Sequence, residues 1–344
     1  MNPSIEDTTQ GLQSFLQSGS GSKIVITTHH KPDADALGSS LALYHYFKEM
    51  GKEVRVITPT DYPPFLHWMP GNDNVINFEE HPERAEELAM DADAIFCLDF
   101  NDLKRINDFG DIVAKSEARK IMIDHHRDPK GFDDHRFWTI ETSSTCELIY
   151  EYICLNGSEE MIDSDIATCI YCGIMADTGS FRFSSTSSRT HEIAAELLKK
   201  GVQPNEIQSR LFDNFGLSRY RLMGYVLHKK LELIPEYNTA LVFLTAEELQ
   251  RFNVQTGDTE GFVNFGLGIS GVKLSALIID RTKLVKMSFR SKGSFPCNEL
   301  AAKYFNGGGH LNAAGGASHD TLEEVVAKFR AILPEFAEEL KKDN

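Results

Sequence analysis

The chain reads as an α/β protein in two parts: an N-terminal domain on a mainly parallel sheet flanked by helices, and a smaller C-terminal α/β domain with a mixed or antiparallel sheet. Three observations predict this. Short β-branched runs alternate with amphipathic stretches as far as residue 124, a long helical tract follows, and strand signals then return in a pattern of alternating faces. With 344 residues, the chain is also longer than one hydrophobic core usually serves.

KIVITT (23–28) is a strand that ends in a polar loop. ALGSSLALYHYFKEMG follows it with apolar residues at helical spacing before a terminal glycine. VRVIT (54–58), AIFCLD (94–99) and KIMID (120–124) are further strands, separated by Glu-, Ala-, Leu- and Arg-rich segments suited to helices. Such alternation predicts a parallel sheet covered on both faces. From about 145, TCELIYEYICLNG, SDIATCIYCGIMAD and TSSRTHEIAAELLKKG are helical in pattern. TALVFLT (239–245), VKLSALIID (272–280) and LVKMSFRS (284–291) then read as a second, mainly antiparallel sheet. The glycine cluster GGGHLNAAGGA (307–317) and the amphipathic segment TLEEVVAKFRAILPEFAEELKK complete it. The expected organisation is a metal-binding domain over 1–200, a helical linker over 201–232 and a nucleotide-binding domain over 233–344.

Composition narrows the function. With 51 acidic against 35 basic side chains and a formal charge of −16, the chain is not a basic nucleic-acid coat, and it offers few of the Lys and Arg contacts whose counterion release binds long polymers. No apolar run approaches the roughly 18 residues of a membrane span. MNPSIEDTTQGLQSF lacks the charge-then-apolar order of a signal peptide, so the expected location is cytoplasmic. Six cysteines are too few and scattered to staple this fold. Cys169 and Cys172 share a face of an apolar helix with no second pair to complete a zinc site, and they read as packing residues, as do Cys97, Cys146, Cys154 and Cys297. Ser144, three before Glu147, reads as a helix capping box.

The chemistry lies at the strand ends. HHKPDADALGS brings His29, Asp33 and Asp35 after the first strand, AIFCLD ends at Asp99, KIMIDHH ends at Asp124, His125 and His126, and GIMADTGSF closes a helix at Asp177. Ligands of open α/β sheets gather outside the carboxyl ends of the strands. Singly, each aspartate is a helix cap or turn residue. Together at one sheet edge they would repel, each pair near 4 Å costing about 4 kcal/mol at an effective dielectric of about 20. No Lys or Arg cluster in these segments offsets that; two divalent cations would. Mixed carboxylate and imidazole donors suit Mn²⁺ first, with Co²⁺, Zn²⁺, Fe²⁺ or Mg²⁺ as alternatives. Two such ions sharing a carboxylate activate water for in-line attack on phosphorus, which predicts phosphoester or phosphoanhydride hydrolysis.

The order HxxPDxD, strand-end Asp, DHH, GIMADTGSF and a distant GGGH resembles the DHH phosphoesterase superfamily with its DHH-associated C-terminal domain. Within it, the chain is similar to the subgroup that joins oligoribonuclease to 3′-phosphoadenosine 5′-phosphate phosphatase activity. The resemblance implies one ion on His29, Asp33 and Asp99 and another on Asp35, Asp99, His125 and Asp177, with Asp99 as bridge and Asp99, His125 and His126 as the catalytic group. Asp124 would orient the imidazoles. His126 would meet the substrate phosphate or, on the bland reading, be hydrogen-bonded beneath the loop; in an extended segment its ring would face away from that of His125, so both could not easily bind one ion. His30 has no matching role and reads as a solvated neighbour. In the second domain Gly307, Gly308 and Gly309 would offer backbone amides to a phosphate, and Arg290 and His310 would grip the nucleotide across a cleft. Asn312–Ala317 would join them, or serve helix packing. Arg182, Phe181 and Phe183 read equally as substrate contacts or as a structural group and stay outside the expected catalytic set.

The substrates implied are short oligoribonucleotides, cut exonucleolytically to mononucleotides, and 3′-phosphoadenosine 5′-phosphate, converted to AMP. The alternative is a cyclic-dinucleotide or linear-dinucleotide phosphodiesterase; pyrophosphate ranks below it. An inactive nucleotide-binding regulator is the reading from another class. A RecJ-like polymer exonuclease would need a further nucleic-acid-binding module. A homodimer is expected by analogy alone.

Overall fold

The computed structural model describes residues 21–342 except 214 and 256, so the segment read for a leader lies outside the described residues. The chain divides into two compact units between Asn214 and Phe215, inside the stretch read as a linker.

The first unit holds six parallel strands in the order β3-β2-β1-β4-β5-β6. These are β1 (Lys23–Thr28), β2 (Glu53–Thr58), β3 (Val75–Asn77), β4 (Ala94–Leu98), β5 (Arg119–Asp124) and β6 (His135–Trp138). The two edge strands are additions to the sequence reading. At three and four residues they are too short to show a period, and their pairing is what makes them strands. Side chains alternate between two cores. Ile24, Ile26, Phe96, Leu98, Ile121 and Ile123 face helices α1 (Ala34–Glu49), α4 (Thr145–Leu155) and α5 (Ser164–Asp177). Val25, Ile95 and Cys97 face α2 (Pro82–Met90) and α3 (Phe109–Lys115). Helices α6 (Ser188–Lys199) and α7 (Pro204–Phe212) close the unit.

Strand order reverses between β1 and β4, which leaves a crevice outside their carboxyl ends. The crossing of α1 with α5 roofs this place, and two glycines allow it. A Cβ on Gly38 would lie 2.6 Å from the Cys169 carbonyl oxygen, and one on Gly173 would lie 2.2 Å from the Cys146 sulfur. All six cysteines are free, and five, including Cys169 and Cys172, are buried, which agrees with their reading as packing residues.

The second unit opens with α8 (Leu217–Tyr225), which passes into a π turn over Val226–Lys230. Its sheet has the order β11-β12-β10-β9-β8-β7. Strands β7 (Glu232–Ile234), β8 (Thr239–Leu244), β9 (Leu274–Asp280), β10 (Val285–Ser291), β11 (Gly308–His310) and β12 (Ala313–Ser318) pair antiparallel except for β8 with β9. That pair is parallel because α9 (Ala246–Arg251) and α10 (Phe262–Leu267) intervene as a crossover, so the sheet is mixed. The last helices are α11 (Cys297–Tyr304), α12 (Leu322–Ile332) and α13 (Ala337–Lys341). Among the described residues no helix is long and apolar enough to cross a membrane.

Candidate metal centre

The loop after β1, the ends of β4 and β5 and the end of α5 bring eight of the predicted side chains together. His29, Asp33 and Asp99 offer ligand atoms within 4.8 Å of one another, and so do Asp35, His125 and Asp177. Asp99 stands between the two sets. Its Oδ2 lies 3.3 Å from His29 Nε2, while its Oδ1 lies 3.4 Å from His125 Nε2 and 3.6 Å from His126 Nδ1. One carboxylate therefore faces both groups, as a bridging ligand must. The backbone bends to allow this: Asp99 has φ 63°, a left-handed conformation that costs a non-glycine residue on the order of 1–3 kcal/mol.

Asp33 combines the bland reading with the functional one. Its Oδ1 caps α1, accepting from the Asp35 and Ala36 amides at 3.0 Å, while Oδ2 lies 3.9 Å from His29 Nε2. Asp35 is buried, and its oxygens accept from the amides of Thr145 (2.7 Å) and Cys146 (2.8 Å) at the N-terminus of α4. Amides and helix dipole at that terminus favour a negative charge. Asp177 ends α5 with Oδ2 3.4 Å from His125 Nε2. His29 Nδ1 is 2.9 Å from the His30 carbonyl, which leaves its Nε2 lone pair for a cation.

His126 departs from the expected geometry. The strand stops at Asp124, so strand alternation no longer separates the two rings. Their centroids are 4.9 Å apart, and both imidazoles flank the same Asp99 oxygen. Asp124, fully buried, holds His126 Nδ1 at 2.8 Å, and the Trp138 indole donates to the His126 carbonyl. This turns His126 Nε2 away from Asp124. Asp124→Asn should lower turnover roughly 10- to 100-fold with little change in metal affinity, the usual effect of loosening an orienting partner. Parallel kinetics and Mn²⁺ titration would check it; equal losses in both would assign Asp124 to metal binding instead.

Several residues of this centre escaped the sequence reading. Thr145 Oγ1 donates to Asp99 Oδ1 at 2.9 Å. Arg105 reaches the Asp99 carbonyl. His30, read as a solvated neighbour, is exposed but pins the loop, since its amide and Nδ1 both lie on the Arg105 carbonyl at 2.7 and 2.8 Å. Ser144 caps α4 through the Glu147 amide, but the Glu147 carboxylate turns to Ser143 and Thr190, so the expected reciprocal box is half formed.

Electrostatics expose the strain of the crowd. Burial, then the charge of Asp99, lifts Asp35 to about 7. Burial, then Asp35, raises Asp177 well above the usual range. Burial also works against ionised Asp99, but His125, His29 and His126 outweigh it and hold that carboxyl well below its ordinary value. Burial disfavours a charged His125, yet Asp99, Asp177 and Asp35 raise it to about 10. Without cations the cluster thus retains protons that the unfolded chain has released. For Asp35, folding costs more as pH rises from about 4 to about 7; for His125, stability present at low pH is lost as pH rises through about 10. The slopes share a sign. The metal-free melting temperature should therefore fall between about pH 6 and pH 9, and the rise on adding Mn²⁺ should grow over that range because cations bind the deprotonated ligands. Calorimetry of the metal-free protein would test this, and a melting temperature rising across the window would contradict it.

The donor set fits divalent cations: buried carboxylates and imidazoles in two groups sharing Asp99, with no ammonium group among them.

The remaining candidates lie in the second unit. Arg290 on β10 and His310 on β11 both register with Ala313 of β12, so they occupy one row across three strands. Gly308 and Gly309 lie exposed on the sheet edge. A Cβ on Gly309 would stand 2.4 Å from the Ala313 carbonyl oxygen, which forces glycine there. Residues 313–317 form a closely paired strand, and helix packing, one of the two alternatives, holds at Gly316, where a Cβ would lie 2.7 Å from the carbonyl oxygen of Phe305 at the end of α11; Asn312 ties the preceding turn to Ser291 and Gly293.

A family profile described as the DHH family, N-terminal domain, matches residues 23–174, and one described as the DHHA1 domain matches residues 238–339. The bifunctional oligoribonuclease and PAP phosphatase NrnA of Thermus thermophilus is 32% identical over 93% of this chain and 90% of its own length. The cyclic-di-AMP phosphodiesterase PdeA of Listeria monocytogenes is 26% identical over 92% of this chain and 48% of its own length. A solved exopolyphosphatase-related protein from Bacteroides fragilis is 44% identical, with a TM-score of 0.93 and 98% of each chain covered.

Proposed function

This chain belongs to the DHH family of phosphoesterases, and from that premise we propose that it hydrolyses short oligoribonucleotides to mononucleotides and 3′-phosphoadenosine 5′-phosphate to AMP. The observation that carries the reading is Asp99, whose two oxygens face two separate sets of cation ligands. Likeness to NrnA over nine-tenths of both chains supports the substrates.

His29, Asp33 and Asp99 would hold one Mn²⁺, and Asp35, Asp99, His125 and Asp177 the other. When bound, the ions supply positive charge against the phosphoryl oxygens and make water acidic enough to act as a nucleophile near neutral pH. The protein's own residues do the rest. Asp33 and Asp35 are fixed by backbone amides, so the ligand geometry is set before the cations arrive. Burial, more than the opposing pull of Asp124, lowers His126 and favours its neutral form. A phosphate anion bound there would favour protonation of the ring from solvent, and the imidazolium would hold that proton against a non-bridging oxygen. Arg290, Gly308, Gly309 and His310 of the second unit would bind the nucleotide's other phosphates, the Arg through its forked donors.

The alternative is cleavage of a cyclic or linear dinucleotide, supported by the likeness to PdeA. A panel assay separates these. Protein loaded with Mn²⁺ should turn over RNA dinucleotides and 3′-phosphoadenosine 5′-phosphate faster than cyclic-di-AMP. The reverse order selects the alternative, and no turnover of any substrate leaves the nucleotide-binding regulator.

A further inference from the structure

Several arginines of this acidic chain pair with carboxylates: Arg136 lies 2.7 Å from Asp133, and Arg189 2.6 Å from Glu151. Arg105 does not. It is half-buried in the short 3₁₀ helix Leu103–Ile106, and among the described residues its guanidinium makes one hydrogen bond, from Nη1 to the Asp99 carbonyl oxygen at 3.3 Å.

Its backbone is fixed on every side. The Asp102 side chain caps the 3₁₀ helix through the Lys104 amide, the Arg105 amide donates to the Asp102 carbonyl, and the Arg105 carbonyl accepts twice from His30. Gly110 packs so closely that a Cβ there would lie 2.5 Å from the Leu103 carbonyl oxygen. The guanidinium is thus rooted beside the metal centre by contacts that leave most of its donors unused.

We propose that Arg105 is a phosphate-binding residue of the first unit, its free donors gripping an oxygen of the substrate phosphate beside Asp99. This rests on the phosphoesterase reading above and names a contact for the same site. Bidentate, planar recognition suits a guanidinium and a phosphate, and hydrogen bonds to charged groups contribute roughly 1.5–3 kcal/mol each. The structural reading, in which Arg105 merely satisfies the Asp99 carbonyl, accounts for a single donor and predicts that any donor of similar reach suffices.

Steady-state kinetics on an RNA dinucleotide, with AMP as competing product, would compare wild type, Arg105→Gln and Arg105→Lys, all loaded with Mn²⁺. Arg105→Gln should raise KM and the AMP inhibition constant roughly 10- to 100-fold. Arg105→Lys should recover part of the loss, since it restores charge without the fork. Mn²⁺ affinity and melting temperature should stay at wild-type values in both. Unchanged KM and AMP inhibition in Arg105→Gln would overturn the proposal, as would a loss matched by equal weakening of Mn²⁺ binding. If wild type fails to cleave the dinucleotide, the functional reading fails alone, because direct AMP binding to the same variants still tests Arg105.

Discussion

Asp99→Asn should reduce hydrolysis by at least about 10³-fold, the scale on which single groups opposing transition-state charge act. Asparagine is the informative replacement. It keeps the size, tolerates the left-handed backbone at φ 63° and can still accept from Thr145 Oγ1, so the fold survives. What is lost is the charge shared between the His29 side and the His125 side. Calorimetric titration should show two Mn²⁺ ions bound by wild type and fewer, more weakly held, by the variant. Stability of the metal-free protein should fall as well, because the relief of Asp35 and Asp177 is outweighed by the loss of the carboxylate that His125, His29 and His126 hold ionised. Activity within about tenfold of wild type would remove Asp99 from the centre of the mechanism.

Gly173→Ala should harm both fold and site. Inside α5, alanine is intrinsically favoured over glycine by about 1 kcal/mol, so propensity alone predicts a gain. Sterics decide otherwise. The new methyl would stand 2.2 Å from Cys146 Sγ, 2.8 Å from Asp35 Oδ1 and 3.0 Å from Asp35 Cα, all in a core without slack. Overpacking of this kind costs roughly 1–3 kcal/mol or more, which lowers the melting temperature of a unit this size by several degrees. Because α1 carries Asp35 and α5 carries Asp177, separating the helices also opens the ligand set around His125. Mn²⁺ affinity should fall with stability. The double variant Cys146→Ala/Gly173→Ala should recover more stability than affinity, since it relieves the sulfur clash and leaves that with Asp35. Wild-type melting and wild-type Mn²⁺ affinity in Gly173→Ala would show that the close crossing is not what sets the site.

The donors were legible because strand ends are legible. Each β-branched run stops at a polar residue, and His29, Asp99, Asp124 and His125 are those residues or their neighbours. The supports were not. Thr145 lies 46 residues from Asp99 and 110 from Asp35, and nothing local marks it as more than a helix start. Arg105 sits in a run of ordinary loop residues. The short strands β3 and β6 exist only because a neighbour pairs with them. His126 shows the limit of periodicity: a two-residue repeat applies to a strand, and the strand ends before it.

By itself, the order of strands, loops and ligand-type residues determined the fold class and the chemical class, because hydrophobic period and side-chain chemistry are local properties. Tertiary structure alone decided which carboxylate stands between the two ligand sets, which oxygens backbone amides and helix termini have already claimed, and which arginine stands beside them. Those depend on how closely distant segments approach, and here two glycines and the reversal of strand order between β1 and β4 set that approach.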